Sequence, residues 1–281
     1  MQEITFTLST GMKLAAHSYG DPTSPPVILS HGGGQTRHSW GATAQTLADQ
    51  GWYAIAYDHR GHGDSSWSTD GDYDIDRFAE DLRELATQFD TLPVLVGASL
   101  GGLSAMVAEG EFSGDVFRAI VLVDIVPRMD PGGAARIIEF MGTHMSNGFS
   151  TLEEAADVIA QYTGRPRRAN VSGLRKNLRL GEDGRFRWHW DPSFVNQTQS
   201  AENISDPERM VKAAETITVP MMLVRGQLSD LVTPELAEDF LRLVPHAHYV
   251  DVKNARHMVA GDRNDIFSLE IEKFLAGLSP Q

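Results

Sequence analysis

The rhythm of apolar and polar residues changes along the chain. Ile4-Thr5-Phe6-Thr7-Leu8 alternates strictly, Thr10-Gly11 turns, and Met12 to Tyr19 follows. That pattern predicts an antiparallel ribbon. From Val27 onward the apolar runs are continuous: Val27–Leu29, Tyr53–Tyr57, Val94–Val96, Ala119–Val123, Met221–Val224 and Tyr249–Val252. Unbroken apolar strands fit a parallel sheet covered on both faces. Helical spacing fills the intervals, at about 40–50, 73–89, 100–111, 233–243 and 264–277. In the second of these, Ile75, Phe78, Leu82, Leu85 and Phe89 recur at three- and four-residue steps behind Asp74. Strands alternating with such helices predict an α/β fold, a doubly wound and mostly parallel sheet.

The alternation stops between Asp124 and Pro220, where only helices are predicted: 134–145, 151–159 with Thr151 as N-cap, and 207–215. Charge changes over the same stretch. Residues 128–215 hold twelve basic and twelve acidic side chains, so the rest of the chain carries the whole net charge of −14. The expected organisation is a core built from 1–127 and 216–281, with 128–215 as a helical cap over the active site. Within the cap, 165–187 has eight Lys and Arg against Glu182 and Asp183. Such a run is a basic face docked on the acidic body or simply solvated, the favoured reading, or else it draws in anionic substrates.

Composition narrows the class. With 281 residues, 41% hydrophobic and 22% charged, the chain is globular. A net charge of −14 opposes a nucleic-acid partner, which needs a concentrated basic surface. No apolar run approaches the roughly 18 residues that would span a bilayer. The first residues have neither the basic nor the apolar part of a secretory leader. Cysteine is absent, which excludes disulfides, thiolate metal sites and a cysteine nucleophile. The expectation is a cytoplasmic protein with a small-molecule substrate and no membrane partner; a homo-oligomer is left open.

The chemistry sits where strands end. Gly97-Ala98-Ser99-Leu100-Gly101 is a G-x-S-x-G pattern between a predicted strand and a predicted helix. A serine on so sharp a turn exposes its Oγ at the sheet edge, with a helix N-terminus behind it. Asp230 follows one later strand and His257 the next, in the order Ser99, Asp230, His257. A serine hydroxyl needs a histidine to take its proton and a carboxylate to orient that histidine. Asp124, at the end of another strand, competes with Asp230 for the acid, and Asp230 is favoured. Acyl transfer also needs two N–H donors at the developing oxyanion. Leu100 supplies one; the turn His31-Gly32-Gly33-Gly34 supplies the other, from Gly33, with Gly34 as competitor. In the cap, Trp188 and Trp190 either pack it down or wall a substrate pocket with Phe140 and Gly34.

Taken together, His31-Gly32-Gly33 with His38-Ser39-Trp40, Asp58-His59-Arg60-Gly61-His62-Gly63-Asp64-Ser65, Gly97 to Gly102, Arg225 to Asp230 and Ala255-Arg256-His257 resemble the α/β-hydrolase superfamily. The likeness is to its capped, esterase-like and non-haem-peroxidase-like branch. It implies the triad Ser99, Asp230 and His257, an oxyanion donor two residues after His31, and a structural role for the 58–65 loop. The implied activity is serine-dependent cleavage of a small or medium carboxylic ester, thioester or lactone. Two alternatives use the same fold: a C–C hydrolase or hydroxynitrile-lyase-like enzyme on that triad, and a receptor without catalysis. No motif calls for a metal, a nucleotide, a flavin or any other cofactor.

Overall fold

The computed structural model describes every residue except 113, 168, 200–205, 259–263 and 279–281, together with the side chains of 198 and 199. Its strands are β1 (Gln2–Thr7), β2 (Lys13–Tyr19), β3 (Pro26–Ser30), β4 (Tyr53–Tyr57), β5 (Val94–Ala98), β6 (Ala119–Val123), β7 (Leu178–Leu180), β8 (Phe186–Trp188), β9 (Met221–Gly226) and β10 (His248–Val252). The helices are α1 (Gly41–Asp49), α2 (Ile75–Ala86), α3 (Leu100–Gly110), α4 (Pro131–Gly142), α5 (Leu152–Thr163), α6 (Pro192–Gln199), α7 (Pro207–Thr216), α8 (Pro234–Leu243) and α9 (Ser268–Ala276).

Eight strands form one sheet in the order β1-β2-β4-β3-β5-β6-β9-β10. The β1–β2 ribbon enters antiparallel and joins β4 antiparallel; every other pairing is parallel. This is the doubly wound α/β sheet that the continuous apolar runs require. Alternate side chains divide between its faces. Ile28, Ile55, Leu95, Ile120 and Leu223 pack with Phe78 and Leu82 of α2 and Met106 of α3. Val27, Leu29, Val96, Val121 and Val224 pack on the other face with Leu47 of α1 and Ile271 of α9. Both faces are therefore dry, and the polar chemistry is left to the strand ends. No helix among the described residues is long and apolar enough to cross a membrane.

Between β6 and β9 the chain builds α4, α5, the β7–β8 hairpin and α6 before reaching α7. The hairpin and α6 carry no sequence signal of their own. Each strand of the hairpin has only three residues, Leu-Arg-Leu and Phe-Arg-Trp, too short for a period to register. The last helix of the segment, α7, lies along α3: Thr216 Oγ1 donates to Gly110 O at 2.6 Å. It belongs in space to the layer beside the sheet, although it falls inside 128–215.

Candidate active site

The carboxyl ends of β3, β5, β6 and β9 line up at one edge of the sheet, and the sequence-predicted site residues divide there. Ser99 follows β5 with φ 47° and ψ −114°, a left-handed conformation that is strained for any residue with a Cβ. The turn closes because its glycines allow contact. A Cβ on Gly97 would lie 2.7 Å from the Gly101 backbone, and one on Gly101 would lie 2.7 Å from Ser30 O. Ser99 N donates to Val123 O at 3.3 Å, which ties the elbow to the end of β6. The serine Oγ makes no hydrogen bond to a described residue.

The next residue along β6 is Asp124, buried and itself at φ 52°. His257 Nδ1 lies 2.8 Å from its Oδ2. Gly226 N donates to Oδ1 at 2.9 Å, and Ser229 Oγ donates to Oδ2 at 2.7 Å. A carboxylate holding three donors is fixed in place. It also fixes the histidine tautomer, because an ionised carboxylate can only accept: Nδ1 carries the proton and Nε2 keeps its lone pair.

Asp230 is not brought to His257, contrary to the sequence expectation. Its carboxylate is half-exposed and forms an ion pair with Arg136 of α4 at 2.7 Å. The cause is local. The Asp230 carbonyl packs against Gly133, and Asp130 N donates to Leu231 O at 2.9 Å, so the loop leans on the start of α4 and turns Asp230 outward. Ser229, one residue earlier, faces inward instead. Of the two candidate acids, Asp124 after β6 and Asp230 after β9, only Asp124 meets the histidine.

The glycine turn after β3 approaches the nucleophile closely. A Cβ on Gly32 would lie 3.2 Å from Ser99 Cβ. Gly32 N donates to Gln35 Oε1 at 3.0 Å, Gly34 N to His62 Nε2 at 3.1 Å, and Gln35 N to Gly32 O at 3.0 Å. Gly33 N is left with no partner among the described residues. Leu100 N, at the first position of α3, is equally free, as helix geometry demands. Two unsatisfied N–H groups therefore remain at the turn and at the elbow, and Gly34, the competing donor, is already committed.

Residues 27–268 match the family model described as the alpha/beta hydrolase family. The chain belongs to that family. One relative is esterase Rv0045c of Mycobacterium tuberculosis, 30% identical over 86% of this chain and 79% of that protein. Another is a non-heme chloroperoxidase of Burkholderia pyrrocinia, 25% identical over 80% of this chain and 82% of its own. Among solved structures, an alpha/beta hydrolase from Novosphingobium aromaticivorans superposes with TM-score 0.80 at 24% identity, covering 99% of this chain and 98% of that one.

The loop that carries Gly33 in this hydrolase is held from beneath by buried histidines. His31 Nε2 accepts from His59 N at 3.1 Å while its Nδ1 meets Gly32 O at 2.8 Å. His62 accepts from Gly34 N and bonds Arg60 O through Nδ1 at 3.0 Å. Burial pushes His31 down to about 4 and His62 to about 3, and holds His59 well below the ordinary histidine value. Neutral rings suit these bonds, since each accepting nitrogen must keep its lone pair. The 58–65 loop anchors them. Asp58 is ion-paired with Arg37, accepts from Asp64 N at 2.9 Å, and receives Ser65 Oγ on its carbonyl at 2.6 Å.

From above, the loop meets the segment between β6 and β9. His189 accepts from Gly63 N at 2.7 Å through Nδ1, which leaves Nε2–H to donate to Gly34 O at 3.1 Å. A Cβ on Gly33 would lie 3.5 Å from Phe194, and one on Gly34 would lie 3.3 Å from Trp190. Trp190 stacks on Trp188 at 4.8 Å, Trp188 tilts against Phe140 at 5.7 Å, and Phe140 stacks on Tyr162 of α5 at 4.3 Å. Of the aromatic residues singled out in the sequence, Trp190 touches the glycine turn; Trp188 and Phe140 stand one and two rings behind it. His189 and Phe194 were not foreseen. The pattern Trp-His-Trp-Asp held the clue, but nothing in its spacing points to a strand end 150 residues earlier.

Proposed function

We propose that this hydrolase cleaves a small or medium carboxylic ester, thioester or lactone through a covalent acyl-enzyme on Ser99. One observation carries the reading: a serine at positive φ stands beside a buried aspartate that already holds a histidine in the tautomer needed for general-base work. Ser99 Oγ attacks the carbonyl carbon as its proton passes to His257 Nε2, and Asp124 balances the imidazolium that forms. The oxygen that takes up negative charge is received by the N–H groups of Gly33 and Leu100 and by the positive end of α3. His257 then returns the proton to the leaving alkoxide or thiolate. Water, activated by the same histidine, releases the acid and restores the serine. General-base transfer needs Ser99 Oγ and His257 Nε2 within hydrogen-bond reach in the reacting complex. Asp124 takes the role that the sequence assigned to Asp230, while Trp190, Phe194 and Met141 wall the acyl side beneath a cap drawn from 128–215.

Turnover of p-nitrophenyl butyrate, with a fluorophosphonate probe mapped by mass spectrometry, tests this. Hydrolysis and a single adduct on Ser99 are expected. A folded protein that neither hydrolyses the ester nor takes the probe would fit a receptor instead.

A further inference from the structure

The turn that offers the Gly33 N–H is closed twice. Gln35 N donates to Gly32 O at 3.0 Å, and Gly32 N returns the bond to Gln35 Oε1, also at 3.0 Å. A four-residue turn tied at both ends fixes its middle peptides. Gly34 N is spent on His62, which leaves Gly33 N–H as the donor of the turn without a described partner. Gln35 sets this arrangement only with its amide oxygen toward Gly32. With the amide reversed, two N–H donors would face each other.

A residue 229 positions later holds that amide the right way round. Asn264, fully buried and shortly after His257 in the chain, pairs with Gln35 in both directions. Gln35 Nε2 donates to Asn264 Oδ1, and Asn264 Nδ2 to Gln35 Oε1, each at 3.2 Å. Such a pair would survive if both amides reversed together, so a third contact has to break the symmetry. Ser39 does so. Its hydroxyl proton is committed to Thr36 O at 2.9 Å, so its oxygen presents a lone pair, and Asn264 Nδ2 lies 3.5 Å from it. A reversed Asn264 would set acceptor against acceptor there. The next residue ties the same two segments. Asp265 Oδ1 accepts from Thr43 N and Thr43 Oγ1, both at 3.1 Å, and so caps α1, whose own N-cap residue makes no side-chain bond.

We propose that Asn264 is a positioning residue for acyl transfer: by fixing the Gln35 amide it fixes Gly32, and with it the Gly33 N–H that receives the oxyanion. Asn264 touches no reacting atom and acts through Gln35. Its role rests on the function proposed above for Gly33. The stretch of chain that carries the general base then also sets the oxyanion donor, so the two halves of the site keep one register.

Steady-state kinetics on p-nitrophenyl butyrate test the role. Asn264→Ala should lower kcat about 10–100-fold and leave KM within about twofold, because a displaced donor weakens the transition state more than the ground state. Inhibition by butylboronic acid, whose tetrahedral serine adduct offers an oxygen to the same N–H groups, should weaken in parallel. The double variant Gln35→Ala/Asn264→Ala should lose no more than Gln35→Ala alone, since Asn264 acts through Gln35. Should the cavity left by alanine unfold the chain, Asn264→Leu keeps the volume and removes the same bonds. A kcat within about twofold of wild type in a folded Asn264 variant, or single losses that multiply in the double variant, would overturn the proposal. Hydrogen exchange of the Gly32 amide, read by NMR, separates this role from the reading beneath it. Exchange should quicken about tenfold in Asn264→Ala. Unchanged protection overturns the positioning role even where no ester is hydrolysed. Faster exchange in a protein that hydrolyses no ester supports the positioning and overturns only the acyl-transfer reading.

Discussion

His189 Nε2 lies 3.1 Å from Gly34 O, while the N–H of the same glycine donates to His62. One residue from the segment between β6 and β9 and one from the 58–65 loop thus grip the glycine next to the proposed oxyanion donor. Glutamine at 189 can reproduce the Nε2 donor and asparagine the Nδ1 acceptor. His189→Gln should therefore keep more kcat than His189→Asn, with both losing about 1–3 kcal/mol of stability for the bond each leaves unmade. Equal kcat in two variants matched in denaturation midpoint would make the histidine a packing residue only.

The strain at Ser99 separates chemistry from folding. Ser99→Ala and Ser99→Gly should each lower kcat by roughly three to six decades. The glycine variant should be the more stable of the two by about 1 kcal/mol, because only glycine adopts this φ without a Cβ clash. Urea denaturation of the two variants checks the order; the reverse order would mean that the elbow is not strained.

The acid can be assigned by a pair of substitutions. Asp124→Asn leaves His257 beside an amide that stabilises the wrong tautomer, and kcat should fall by about four decades. Asp230→Asn removes only a half-exposed ion pair with Arg136, so activity should change little and stability by no more than about 1 kcal/mol. Steady-state kinetics on p-nitrophenyl butyrate decides between them.

Buried neutral histidines make stability depend on pH. His31, His59, His62 and His189 all titrate below the unfolded value of 6.5. The unfolded chain therefore binds more protons than the fold as pH drops below 6.5, and stability falls with it. Their contribution is complete above pH 6.5 and is lost progressively down to about pH 4 for His31 and about pH 3 for His62. Each ring contributes a slope approaching 1.4 kcal/mol per pH unit inside its window. Urea midpoints at pH 7.5, 6.0 and 5.0 should fall steadily; a flat series would mean that these rings are not held neutral.

Much of this was legible in the sequence, for identifiable reasons. Strands β3, β4, β5, β6 and β9 were legible as continuous apolar runs, because a strand buried on both faces leaves little room for polar residues, while β1 and β2 showed as an alternating ribbon and β10 as a short apolar run at the sheet edge. Ser99 and His257 were legible because each follows such a run. Asp124 was visible as a candidate, yet its choice over Asp230 turns on where a loop leans. That depends on Gly133 packing under the Asp230 carbonyl, a contact between residues nearly a hundred positions apart. His189 lay beyond reach for a related reason: its partners Gly34 and Gly63 are long-range neighbours, and the short hairpin that delivers it has no periodic signature.

The packing of α7 on α3 reaches beyond this chain. Neighbouring parallel strands need a crossover of about a dozen residues, usually one helix. Since α7 leads directly into β9 from the flank of the sheet, it meets that need for β6 and β9 alone. The stretch before it is topologically surplus: the sheet, the elbow and the Asp124–His257 pair would close equally well around a shorter or longer excursion. Lengthening such a connection costs only about 0.6 kcal/mol per doubling. Descendants of this fold can therefore exchange that stretch wholesale while the sheet, the Ser99 elbow and the Asp124–His257 pair keep an unchanged platform.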